Sequence, residues 1–185
     1  MSLDLDQRAG WPADLKVLLE RHPRVGWGSH GAADAAFWLE IHDGFRREVS
    51  ALGAIADRHR SARITPLELG VLSTPRLRGL LARLHGHHQV EDFEYFPALR
   101  RADPRLERGF DALERDHGVL REHGAAALAA LESLVAAAAE EEALDGARRA
   151  AERYGVASGG FGALLARHLA DEEDLVVPLL LDRVS

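Results

Sequence analysis

The chain has 185 residues, enough for one domain with a real core, and 46% hydrophobic with 29% charged residues mark it as globular rather than disordered. It contains no cysteine, which excludes disulfides, thiolate metal sites, iron–sulfur clusters and cysteine nucleophiles together. Acidic residues number 30 against 23 basic, a net charge of −7 that disfavours nucleic acid or an anionic membrane as partner, and with Lys16 the only lysine a Schiff base is equally disfavoured.

The N-terminus lacks the basic-then-apolar order of a signal peptide, and the cytoplasm is the expected location. Residues 12–22 predict a short amphipathic helix that starts at Pro12 and is ended by Pro23, followed by a loop with Gly26, Gly28 and Gly31. Residues 1–30 read as an N-terminal arm and 31–182 as the main bundle. From about 34 to 59, Trp38, Ile41, Phe45, Val49, Leu52 and Ile55 recur at threes and fours, which predicts a long helix. Residues 60–74 read as a connector, with Ser73 or Thr74 capping a second helix that carries Pro75 in its first turn and ends before Pro97. Asp103-Pro104 signals the start of a third helix, which runs through the alanine-rich stretch to about 139. A fourth runs from about 145 to 177, before Pro178. The longest aliphatic run, residues 175–181 with Pro178 inside it, is too short to span a bilayer. No strand pattern occurs, so the expected fold is all-α: an up-down-up-down four-helix bundle with a short N-terminal helix.

The second and fourth predicted helices repeat one another. HHQVEDFEYFPAL begins at His87 once its leading histidine is taken as the anchor, and HLADEEDLVVPLL begins at His168. Each has a carboxylate at +4 (Glu91, Glu172) and a proline at +10 (Pro97, Pro178). The first and third match as His-x3-Arg, from His42 and His117. Helical periodicity puts His42 between Trp38, Ile41 and Phe45, makes Leu80, Leu84, His87, Glu91 and Tyr95 one stripe, and sets His117 and His168 among leucines. Four histidines and two glutamates thus take seam positions where a bundle wants leucine. Counting about 1.5 Å per residue from each turn places the histidines near one level of the bundle.

A bare buried carboxylate costs several kcal/mol, of the order of what one domain has to spare. Two carboxylates and four imidazoles at one depth are compatible with cations between them, and nitrogen and oxygen donors suit iron, manganese, zinc or copper. Six donors are too many for one tetrahedral zinc and suit two metals bridged by carboxylates.

With its doubled H-x3-E-x5-P element, carrying EDFEYFP and EEDLVVP, the chain resembles the hemerythrin-like family of HHE cation-binding domains over about residues 33–181. The resemblance implies a hemerythrin-like four-helix bundle with two non-haem iron ions under oxo or hydroxo and carboxylate bridges, other divalent metals being possible. It implies terminal ligation by His42, His87, His117 and His168, with Glu91 and Glu172 as bridges. The family's oxygen carriers have a second histidine at +4 on the third helix, where this chain has Arg121, a cation with no lone pair to offer. One metal would then lack a protein ligand. His88 or the poorly oriented His123 is the alternative donor, and Glu173 is the alternative to Glu172, which the internal repeat favours. The expected small-molecule partner is a diatomic such as oxygen or nitric oxide, or a peroxide; iron handling is a further possibility. No substrate pocket is legible, so the residues support no enzymatic assignment. His85 reads as surface, and His22, His30, His59 and residues 140–142 as solvated or capping groups. Two other readings compete: a helical interaction module with a structural polar core, and a ferritin-like di-metal oxidase, for which only Glu114-x-x-His117 has a plausible register.

Overall fold

The computed structural model describes residues 2–29, 33–139 and 144–183, so His30, residues 140–142 and the arm boundary at 30/31 lie outside the described residues. Among the described residues the order is a 3-10 turn Ala13–Leu15, α1 (Val17–Arg21), a 3-10 turn Arg24–Ser29, α2 (Ala33–Arg60), α3 (Pro66–Val90), a π-helical turn Glu91–Tyr95, α4 (Phe96–Ala102), a 3-10 turn Pro104–Leu106, α5 (Glu107–Ala138) and α6 (Leu144–Asp182), with no strand. The protein is an all-α helical bundle, and no described helix is long and apolar enough to cross a membrane.

Prolines mark the places where this order departs from expectation. α3 starts at Pro66, nine residues before Pro75, because Thr65 and Glu68 form a reciprocal cap. The Thr65 amide donates to Glu68 Oε2 at 2.7 Å and the Glu68 amide to Thr65 Oγ1 at 3.2 Å, with Pro66 at the first helical position. Pro75 therefore sits inside α3. Pro178 does not end α6 either. An interior proline costs about 3 kcal/mol. Leu175, Val176, Val177, Leu179 and Leu181 around it are each at most 3% exposed. Their burial is worth about 1.5–3 kcal/mol apiece, so packing outweighs the missing hydrogen bond.

By packing, the chain divides into two units. The first comprises Met1–Gly44, Gly86–Val119 and Leu164–Ser185. Its apolar core gathers Trp38, Phe96, Leu99, Phe110, Leu113 and Leu175, together with Trp11, Leu15 and Leu18 from the N-terminal arm. The second unit comprises Phe45–His85 and Leu120–Ala163, with Leu77, Leu80, Leu131, Leu134, Tyr154 and Phe161 among its buried side chains. Its helices approach closely at glycine: a Cβ on Gly124 would lie 2.6 Å from Leu81 Cδ2, and one on Gly70 2.8 Å from Val135 Cγ2. The histidine and carboxylate seam belongs wholly to the first unit.

Candidate metal centre

α2 contributes His42, α3 His87 and His88, the π turn Glu91, α5 His117 and α6 His168 and Glu172. Their donor atoms fall into two groups, His88, His117 and His168 in one and His42, His87, Glu91 and Glu172 in the other, with the atoms of each group within 4.8 Å of one another. The six residues expected from the sequence are thus all brought together. His88 joins them. One residue along a helix turns a side chain by about 100°, so adjacent histidines reach two neighbouring groups from one helix.

The carboxylates lie between the groups. Glu91 Oε1 is 2.7 Å from His87 Nε2, and its Oε2 is 3.5 Å from His117 Nε2. Glu172 Oε1 is 3.5 Å from His42 Nε2, and its Oε2 is 3.4 Å from His168 Nε2. Each carboxylate turns one oxygen to each group. The Trp38 indole N–H donates to Glu172 Oε1 at 2.7 Å and fixes that side chain from behind.

Three further carboxylates orient the rings. His42 Nδ1 donates to Glu173 Oε1 at 2.9 Å, His117 Nδ1 to Asp92 Oδ1 at 2.8 Å, and His168 Nδ1 faces Asp116 Oδ2 at 3.4 Å. With Nδ1 turned to a carboxylate, each ring turns its Nε2 inward. His88 stacks on His117 with ring centroids 3.8 Å apart and planes 5° from parallel.

Electrostatics divides these residues further. Burial lowers His87 to about 4, and burial with neighbouring imidazoles holds His88 well below the ordinary histidine range, so both are neutral donors. At His42 burial pulls the same way, but Glu172 and Glu173 outweigh it and raise the ring to about 9. Burial and the charge of Glu172 push Glu91 well up. For Glu172 burial acts upward, but His42 and His168 prevail and hold it down.

The donor set fits a metal. Nε2 of His42, His88, His117 and His168, with Oε2 of Glu91 and Glu172, are buried without a hydrogen bond. At about 1–3 kcal/mol for each unmet buried polar atom, six of them rival the whole stability of an ordinary domain, about 5–15 kcal/mol. Cations between them remove that cost.

Other sequence-singled residues lie elsewhere. His85, Arg121 and His123 are exposed. His22 pairs with Asp182 at 3.1 Å, and His59 Nδ1 donates to the Ile64 carbonyl at 3.1 Å. Glu114 is an exposed partner of Arg100 at 2.6 Å, so Glu114-x-x-His117 is not a donor pair here. Tyr95 leaves the expected stripe: it is 40% exposed, while Phe96 is fully buried and stacks on His117. The π turn, closed by the Phe96 amide on the Glu91 carbonyl, inserts one residue into the helical count.

Sequence reasoning missed Asp92 and Asp116 and gave Glu173 only the part of an alternative bridge, whereas all three stand behind histidines. Within residues 171–174 the sequence singles out only Glu172, and Glu173 as its alternative, as a bridge, yet Asp171, Glu172 and Glu173 are all buried. Successive side chains fan around α6: Asp171 to Arg8, Glu172 to both donor groups, Glu173 to His42 and Arg24, and Asp174 to Arg24. The legible signal is four acidic residues inside an apolar-flanked helix.

Residues 34–180 match the family model of the hemerythrin HHE cation-binding domain. No curated protein and no solved structure matches the chain. The match covers most of the chain and spans every donor in both groups, and the chain belongs to the hemerythrin HHE cation-binding family.

Proposed function

We propose that the two donor groups hold a dinuclear non-haem iron centre, bridged by Glu91 and Glu172, that meets a small ligand such as oxygen, nitric oxide or peroxide. The observation that carries this reading is the division of each carboxylate's oxygens between the groups. His88, His117 and His168 are the terminal ligands on one side, His42 and His87 on the other. With both bridges counted, one metal has five protein donors and the other four. Those numbers exceed or only just meet the tetrahedral preference of structural zinc, and an imidazole-rich set without thiolate suits iron. Iron in this setting supplies reversible binding or redox chemistry toward a small ligand.

The protein's own part is orientation and exclusion. Glu173, Asp92 and Asp116 hold three rings with Nε2 inward, and Trp38 pins Glu172. On the side with fewer donors the His87 side chain is 11% exposed. Small-ligand entry is assigned to that side. We place the protein in the cytoplasm.

Anaerobic reconstitution with ferrous iron, followed by metal analysis and near-ultraviolet spectra before and after air, tests the reading. Two irons per chain and a new charge-transfer band on exposure to air are expected. No retained iron, or one atom per chain, overturns it.

A further inference from the structure

The N-terminal arm precedes the span matched by the family, yet it reaches directly behind the donor groups. Arg8 is fully buried there, with a side chain 0% exposed. Each part of the guanidinium is engaged: Nη1 donates to the Leu3 carbonyl at 2.6 Å, Nε to Asp171 Oδ2 at 2.8 Å and Nη2 to Asp116 Oδ2 at 2.5 Å. Trp11 lies under it, 4.5 Å from guanidinium carbon to ring centroid, and donates its indole N–H to the Asp171 carbonyl at 2.6 Å.

The Asp116 oxygen that Arg8 grips is the same one that faces His168 Nδ1, at 3.4 Å. The other two outer carboxylates sit closer to their histidines, at 2.9 and 2.8 Å. Glu173 meets Arg24 through its other oxygen, at 3.7 Å. The short contact, not the long one, fixes where Asp116 sits. A charge-assisted bond to a guanidinium fork is both strong and directional. The place of the carboxylate behind His168 is therefore set from the arm.

We propose that Arg8 is a positioning residue of the metal centre, anchoring Asp116 so that His168 is held with Nε2 toward His88 and His117. The inference rests on the reading of the two groups as a metal centre. It makes the arm part of the functional unit. Partners that orient a ligating histidine govern its metal affinity, commonly by about 10- to 100-fold.

Cobalt(II) titration of the metal-free full chain, with chelator competition and visible spectra, tests this in the wild type, Arg8→Lys, Arg8→Met and Leu99→Ala. Leu99 is buried in the same core and its side chain has no polar group to offer relay or ligand, so its variant matches a loss of stability without the proposed cause. The wild type is expected to bind two cobalt ions. Arg8→Met is expected to keep one site unchanged and to weaken the other about tenfold or more, with a shifted d–d band. Arg8→Lys restores the charge without the fork and falls between. Leu99→Ala lowers the melting temperature and leaves both constants and the spectrum alone. Folded Arg8 variants that bind as the wild type does overturn the inference, as does a Leu99→Ala variant that reproduces the loss. Should Arg8→Met not fold, Arg8→Lys decides by the same criteria. A wild type that binds no cobalt overturns the metal-centre reading and this inference together, whereas two ions bound with unchanged variants overturns this inference alone.

Discussion

His88 and His42 carry the sharpest consequences at the scale of single residues. In the proposed centre His88 takes the place that Arg121 leaves open, so His88→Ala is expected to lower metal content from two toward one per chain, whereas His123→Ala leaves it unchanged. Metal analysis after reconstitution distinguishes them, and equal content in both variants contradicts the role given to His88. His42 bears on pH. Its metal-free value of about 9 lies above the ordinary 6.5, so its protonated form contributes stability that is fully present below about 6.5 and is lost as pH rises through about 9. At pH 7 a metal must displace that proton, while His87, at about 4, has none to give. Metal binding at pH 7 is therefore expected to release at least one proton, seen as a dependence of the calorimetric heat on buffer ionisation enthalpy. Heats independent of buffer would contradict this.

Helix packing sets the next level. α5 and α6 meet at Gly109, where a Cβ would lie 2.5 Å from Leu175 Cδ1 and 3.5 Å from Leu15 Cδ1. Both leucines are 1% exposed, and overpacking costs about 1–3 kcal/mol against a helix-propensity gain of up to about 1 kcal/mol. Gly109→Ala should lower the melting temperature. Gly53 is exposed in α2, and a Cβ there would meet no other atom within 4 Å. It should behave oppositely, gaining about 0.5–1 kcal/mol as alanine. The helices and the ligand seam are legible in the sequence because burial imposes a period near 3.6, and His42, His87, His117 and His168 obey it. Tyr95 is misplaced by that period because periodicity has no sign for an inserted residue: counting by fours is valid to Glu91 and slips by one beyond it. Thr65-Pro66-x-Glu68 is legible in principle, but Ser73 and Thr74 before Pro75 offer a rival start signal that the helix overrides. Arg8, Asp116 and Asp171 are not legible, since their meaning lies in contacts across more than 100 residues of chain.

For the molecule as a whole, the buried donors make metal and stability one quantity. A ligand at a hundred times its dissociation constant adds about 2.7 kcal/mol. For a chain of 185 residues that corresponds to a rise of about 5–10 °C in melting temperature per site. Chelator should reverse it, and identical melting with and without metal would contradict coupling of the site to the fold. The fan of carboxylates at residues 171–174 has a mechanical consequence as well. Four consecutive side chains tie α6 around its circumference, to Arg8, to the donor groups with His42, and to Arg24, like guy lines on a mast. Twisting the helix about its own axis slackens some of these ties only by straining others. The azimuth of its last turns is thus fixed by charge as well as by apolar shape, and His168 and Glu172 inherit that fixed bearing.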